Sequence, residues 1–231
     1  MKNIQNKYKK ISIIIPVCNG KNYIKKLLDS LSDLDYPKND YEIIVIDNNS
    51  TDNTKRIVEK YSVRLLEENR IQSSYAARNK GIENAKNDIL AFIDADCIAT
   101  RQWLKVGINT MISESSDLVG GQVEFYFSKK KTAAELYDSI THLNSEISNK
   151  EIKSAFTCNL FVKHNVFEKI GVFPDNVKSG GDVQWTERAT KNGFALAYCP
   201  KAIVKHQARP LKALLKKNLR IGTGIPHILL N

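Results

Sequence analysis

The chain has 231 residues, 42% of them hydrophobic and 26% charged, with 35 Lys and Arg against 25 Asp and Glu and a net charge of +10. These proportions belong to a soluble globular protein able to bury a substantial core, and they exclude a disordered or low-complexity chain. The basic surplus favours an anionic partner, whether nucleic acid, an anionic membrane surface or a phosphorylated small molecule, and does not choose among them.

The opening "MKNIQNKYKK" is polar and basic and does not read as a secretory signal. No later run is long enough for a transmembrane helix. "ISIIIPV" (Ile11–Val17) is a buried strand, and Tyr23, Leu27, Leu28 and Leu31 then fall on one side of a helix. "YEIIVID" is a second strand, and "STDNTKRIVEKY" is a helix opening on the good N-cap types Ser50, Thr51 and Asp52. "VRLLEE" is a third strand. "SSYAARNKGIENA" is a third helix in which Gly81 is a tolerated interior blemish, and "DILAFID" is a fourth strand. Strands alternating with helices, and apolar on both faces, imply a mostly parallel sheet covered on each side.

The second half is less regular. "LVGGQVEFYF" and "AFTCNLFV" read as strands with the helix "TAAELYDSITHLNSEI" between them. "DVQWTERATKNG" is a helix closing on Gly193, and "ALAYC" and "AIVKH" are two short strands. No linker separates the halves, so the expectation is one domain over residues 1–231: a doubly wound half at about 11–110, a mixed half at about 111–206 and a basic amphipathic tail at 210–231. Cys18, Cys97, Cys158 and Cys199 are far apart and lie in or beside apolar runs, which reads as four buried free thiols in a reducing compartment.

Ligands of open α/β sheets bind outside the carboxyl ends of the strands. Here strand one runs into Pro16, Cys18 and Asn19, strand two ends at Asp47, Asn48 and Asn49, and strand four ends at Asp94 and Asp96. If strand four stays extended through Ala95, the two carboxylates share one face. They then repel unless something positive sits between them, and a hard divalent cation is the economical answer. A solvated loop is the plain alternative for any one of these ends, but three strands delivering Asp or Asn to one rim make a nucleotide-binding arrangement.

Taken in order, the blocks "IIIPVCNG", "IIVIDNNSTDNT", "AARNKGIENAKNDILAFIDADC", "CNLFVKHNVFEKIGVFP", "GGDVQWTERATKNG" and "AIVKH" resemble the family-2 glycosyltransferases with the GT-A fold, over roughly Ile11 to His206. The resemblance implies an α/β chain with a Rossmann-like, mostly parallel sheet and a mixed acceptor-side second half. It implies inverting transfer of a sugar from a nucleotide diphosphate donor to a glycan or lipid-linked acceptor, with Mn2+ or Mg2+. Pro16 and Asn19 then line the nucleotide pocket, Asp47 meets the nucleobase with Asn49 beside it, Arg78 lies near the donor and Asp94 near the ribose. Asp96 and His206 would ligate the metal, and Asp182 would be the catalytic base.

The chemistry asks for the same groups. A departing nucleoside diphosphate gathers negative charge that a divalent cation stabilises. Inversion needs a separate base for the acceptor hydroxyl, and the "GGD" loop supplies a carboxylate on backbone that can approach a ligand closely. Asp182 could instead be a helix N-cap, His206 a structural histidine, and Trp185 either a sugar-stacking ring or part of the core. The chain departs from the family where Asn48 and Asn49 stand in place of frequent acids, Gly181 in place of a frequent Glu, and Cys18 in place of a frequent aromatic.

A nucleotidyltransferase would carry a glycine-rich loop after strand one, and "PVCNGKNY" has a single glycine. A non-enzymatic basic binding module is permitted by the charge, but no nucleic-acid motif accompanies it, so no nucleic-acid partner is expected. In the tail, Leu211, Leu214, Leu215 and Leu219 form a helical stripe among Lys212, Lys216, Lys217 and Arg220, with Gly222, Gly224 and Pro226 breaking any longer helix. Such a helix can lie reversibly on an anionic membrane surface, or else pack on the domain. The expected place is the cytoplasm, with peripheral contact at the inner face of the membrane.

Overall fold

The structure, a computed structural model, describes residues 8–177 and 179–229. β1 (Ile11–Val17) is buried along its whole length. Its side chains alternate between two cores: Ile13 and Ile15 join one cluster and Ile14 the other. α1 (Ile24–Ser32) buries Ile24, Leu27, Leu28 and Leu31, as their spacing demands. β2 (Tyr41–Asp47), the short α2 (Thr54–Val58) and β3 (Arg64–Glu67) follow. α3 (Ser74–Asn84) starts where the Ser73 hydroxyl accepts the Tyr75 N–H, and leads to β4 (Ile89–Ile93).

The chain then makes β5 (Cys97–Ala99), α4 (Trp103–Ser113) and β6 (Leu118–Tyr126). α5 (Ala133–Thr141) and α6 (Ser145–Ile147) run into a π-helical stretch at Ser148–Ile152. β7 (Asn159–Lys163), α7 (His164–Ile170), α8 (Gly181–Lys191), β8 (Leu196–Gln207) and α9 (Leu211–Leu229) complete it.

The strands form one sheet in the order β3-β2-β1-β4-β7-β6-β8-β5. β3, β2, β1 and β4 are parallel, β7 is antiparallel to both β4 and β6, β8 is parallel to β6, and β5 is antiparallel to β8. The sheet is therefore mostly parallel in its first half and mixed in its second, as the patterning implied. α1 and α4 cover one face, and α3, α7 and α8 the other.

Several elements differ from the sequence reading. "ALAYC" and "AIVKH" are one strand, β8, whose register against β6 jumps between Gly121 and Gln122. Asn159 makes the jump tolerable: its Nδ2 donates to the carbonyls of Gln122 and Ala202, both at 2.8 Å. "AFTCNLFV" is extended only from Asn159. The long helix expected over "TAAELYDSITHLNSEI" breaks after Thr141, where Leu143 takes a left-handed φ of 55° and Asn144 caps the next turn. Gly81 is no blemish: a Cβ there would lie 2.5 Å from Ile14 Cγ2 and 2.9 Å from Ile46 Cδ1, so glycine lets α3 lie directly on the sheet. α9 continues across Gly222, Gly224 and Pro226. Each glycine costs a helix only about 1 kcal/mol. Cys18 is partly exposed; the other cysteines are buried and all four are free.

Candidate active site

β1, β4 and β8 end on the same rim of the sheet, and a cleft of about 410 Å3 opens there. Pro16, Tyr75, Arg78, Asp94, Asp96, Thr157, Asp182, His206 and Arg209 all line it. After Ile93 the strand does not stay extended. The Cys97 N–H bonds back to the Asp94 carbonyl at 3.0 Å, and the resulting turn gives each carboxylate its own partner. The like-charge problem posed by Asp94 and Asp96 is thus met by two protein cationic groups as well as by any ion.

Asp94 is paired with Arg78, whose Nη2 lies 2.5 Å from its Oδ1. The guanidinium is buried and sits 5.4 Å from the Tyr75 ring centroid, with Tyr75 one turn earlier on α3. Asp96 faces His206, Oδ2 to Nε2 being 3.4 Å, and Arg209 at 4.0 Å. Burial by itself pushes the Asp96 carboxyl up; a proton on the facing His206 ring, with Arg209 beside it, would outweigh burial and hold the group well below the usual carboxylate range.

His206 is buried, and its Nδ1 lies 2.8 Å from the Gln207 carbonyl. A carbonyl only accepts, so Nδ1 carries a hydrogen, and in the neutral ring Nε2 presents a lone pair toward Asp96. A carboxylate oxygen and an imidazole nitrogen facing one another can both donate to one divalent ion, and the mixed set suits Mn2+ better than Mg2+, which prefers oxygen ligands. Cys97 belongs to the same group of potential ligand atoms, all within 4.8 Å of one another. Burial, with Asp96 beside it, pushes its thiol well above the ordinary value, so it stays protonated and is a poor ligand for a hard cation.

Asp182 stands in the first turn of α8 and does not cap it; the cap position is Gly180 in a left-handed conformation. Its carboxylate is held from outside its own helix. Oδ1 accepts the Tyr75 hydroxyl at 3.1 Å, and Oδ2 accepts the Thr157 N–H at 3.1 Å and the Thr157 hydroxyl at 3.3 Å. The Tyr75 oxygen in turn accepts the Gly181 N–H at 3.0 Å. Burial first, and then Asp182, keep the Tyr75 phenol protonated far above its ordinary range, so it stays a donor. Trp185 is not a sugar platform. It is fully buried, stacks on Phe167 at 4.3 Å and donates to the Gly171 carbonyl at 2.7 Å.

Asn19, Asp47 and Asn49 do not line the cleft. They stand in the adjoining loop cluster, where Asn19 Oδ1 accepts the Thr51 N–H at 2.9 Å and Asp47 Oδ2 accepts the Ser50 N–H at 3.0 Å. Asn19 and Asn49 both take positive φ, 54° and 62°, which asparagine tolerates better than most residues. Asp47 is fully buried, and its Oδ1 has no hydrogen-bond partner among the described residues.

Sequence reasoning missed Tyr75, Thr157 and Arg209. Tyr75 carried a signal, since it precedes Arg78 by one helical turn and must share its face. Thr157 and Arg209 carried none; only the fold brings them to the cleft.

The Glycosyl transferase family 2 profile matches residues 12–171. The chain is 45% identical over 219 residues to Glycosyltransferase AglE of Haloferax volcanii, covering 93% of this chain and 72% of that protein. It is 30% identical over 195 residues to the poly(ribitol-phosphate) beta-N-acetylglucosaminyltransferase TarS of Staphylococcus aureus, covering 79% of this chain and 33% of TarS. Among solved structures, the fold matches S. aureus TarS 1-349 in complex with UDP-GlcNAc with a TM-score of 0.69 at 24% identity, over 89% of this chain and 60% of that one. It matches the mannosyltransferase PcManGT of Pyrobaculum calidifontis, in complex with GDP-Man and Mn2+, with a TM-score of 0.76 at 19% identity, over 95% of this chain and 63% of that one.

Proposed function

This chain belongs to glycosyl transferase family 2 and is a glycosyltransferase, and from that premise we propose that it transfers a sugar, with inversion, from a nucleotide diphosphate donor to a glycan or lipid-linked acceptor. The observation that carries the proposal is a single cleft lined both by the Asp96–His206 pair and by a separately held carboxylate, Asp182. The nucleotidyltransferase and binding-module readings give way to the family.

Pro16, Asn19, Asp47, Asn49, Arg78 and Asp94 form the donor side. The unpartnered Asp47 Oδ1 is an acceptor that an N–H of a nucleobase would satisfy. Arg78 fixes the Asp94 carboxylate toward the ribose. Asp96 and His206 would hold the Mn2+ or Mg2+, which supplies Lewis-acid stabilisation of the departing diphosphate. Asp182, oriented by Tyr75 and Thr157, takes the proton of the acceptor hydroxyl at a carboxylate oxygen as the new bond forms.

Among the described residues no helix is long and apolar enough to cross a membrane. On α9, Leu214 is buried on the body of the protein, while Leu211, Leu215 and Leu219 remain exposed. Leu136, Tyr137 and Ile140 of α5 are exposed as well. With Lys212 and Lys216 beside them, these apolar groups support peripheral docking on anionic lipid at the cytoplasmic face, the single domain standing over its acceptor.

Nucleotide release from a panel of sugar nucleotides tests the activity. One donor class should release nucleotide, EDTA should stop it, and Mn2+ or Mg2+ should restore it. Release that ignores EDTA would remove the metal from the proposal, and release from no donor would remove the donor class.

A further inference from the structure

One cation in the cleft stands directly against the pair assigned to the metal. Arg209 Nη2 lies 3.1 Å from His206 Nε2 and 4.0 Å from Asp96 Oδ2. With the His206 hydrogen on Nδ1, the contact is a guanidinium N–H donating into the lone pair that faces Asp96. Arg209 therefore meets both groups assigned to the divalent ion, and meets them with positive charge.

It is held there deliberately. Asp138 of α5 is fully buried. Its Oδ2 accepts the Arg209 backbone N–H at 2.9 Å and faces Arg209 Nη1 at 3.4 Å. Its Oδ1 faces Lys217 Nζ of α9 at 3.4 Å and His142 Nδ1 at 3.2 Å. One buried carboxylate thus braces the arginine at both its backbone and its side chain, and ties the same turn of chain to α9. A buried acid of this kind fixes its partners because moving them away leaves it uncompensated.

We propose that Arg209 is the internal counter-cation of the Asp96–His206 site, a positioning residue that occupies the site's charge when no metal is bound and sets how tightly metal can bind. The proposal rests on the reading of Asp96 and His206 as metal ligands. A divalent ion entering between them must displace the Arg209 N–H from His206 Nε2 and is repelled by a guanidinium that Asp138 does not readily release. The donor's diphosphate, bringing negative charge with the metal, would relieve that repulsion. Metal alone should therefore bind weakly to the wild-type protein. The alternative is a purely structural tether, in which Arg209 and Asp138 merely fasten α9 to α5; loss of Arg209 would then lower stability and leave metal affinity untouched.

The test is titration of the full chain with Mn2+ alone at fixed pH and ionic strength, followed by calorimetry, with melting temperatures in EDTA and in Mn2+. Arg209→Gln should bind Mn2+ roughly tenfold tighter, the modest end of what removing a like charge near an ion implies. It should melt lower than wild type in EDTA and recover more than wild type on adding Mn2+. Arg209→Lys, which keeps the charge, should stay near wild type. Arg209→Met repeats the test should the glutamine variant fold poorly. In the Arg209→Gln background, Asp96→Asn should abolish the tightened binding. Binding that depends on Asp96 but is unchanged or weaker in Arg209→Gln, or equal tightening in Arg209→Lys, overturns the proposal alone. No Asp96-dependent Mn2+ binding by any variant overturns the metal reading, and the proposal with it.

Discussion

The two halves of the sheet build their parts of the cleft in different ways. From β1 to β4 the site side chains find partners in their own half: Arg78 holds Asp94, and Asn19 holds the loop at Thr51. From β5 onward they draw on both halves: Thr157 and Arg209 are local partners, and the others come from the first half. Asp182 is positioned by Tyr75 of α3, and His206 of β8 faces Asp96 at the end of β4. The first half delivers a rim that local parallel pairing nearly completes, and the second half closes it with long-range contacts. Donor recognition and acceptor activation should therefore be separable by mutation, although one sheet carries both.

Asp182→Asn probes that separation with the largest effect. Loss of a general base commonly costs about 10² to 10⁴ in rate, and transfer to a true acceptor should fall by that order while the melting temperature stays near wild type. An active Asp182→Asn enzyme would show that the closing half contributes no base.

Trp185→Ala asks whether the closing half folds with the rest. It empties a fully buried site stacked on Phe167, and such truncations cost about 3–5 kcal/mol. Urea unfolding should show one transition shifted to lower denaturant. Two transitions would make the halves more independent than the shared sheet implies.

The first half has its own pressure point. Gly81→Ala places a methyl against Ile14 and Ile46, and overpacking of this kind costs about 1–3 kcal/mol, more than the roughly 1 kcal/mol that alanine gains in helix propensity. A stabilised variant would show that α3 can lift from the sheet without penalty.

The smallest effect is in acid. Backbone N–H groups of Thr132 and Ser128 lower the Glu135 carboxyl from its ordinary 4.5 to about 2. The stability it lends to α5 is therefore fully present above 4.5 and is lost as pH falls toward about 2. Glu135→Gln should flatten the dependence of melting temperature on pH in that window. An unchanged slope would mean that the contacts of Glu135 with Thr132 and Ser128 contribute nothing to α5.

How legible each half was follows from the same difference. The buried strands of the first half declare themselves as short apolar runs, and their ends mark the rim. Asp94 and Asp96 were readable because they follow a strong apolar strand, and Arg78 was readable only through the resemblance of its "AARN" block. The turn that separates the two carboxylates was not readable, because Ala95 is compatible with strand or turn. In the second half, β8 looked like two strands because what heals its irregular pairing is the Asn159 side chain, remote in sequence. Trp185 was ambiguous because an indole suits a core and a sugar equally, and only its burial beside Phe167 and Phe173 decides. Arg209 lay beyond the last matched block, and nothing local announces that it reaches His206.

The most direct test of the account is calorimetric titration of the donor identified by nucleotide release, in Mn2+, into wild type, Asp96→Asn and Asp182→Asn. The account predicts that Asp182→Asn binds the donor as wild type does, while Asp96→Asn loses most of the affinity. Equal loss in both variants, or none in Asp96→Asn, would contradict the division of the cleft into a donor rim and an acceptor-side base.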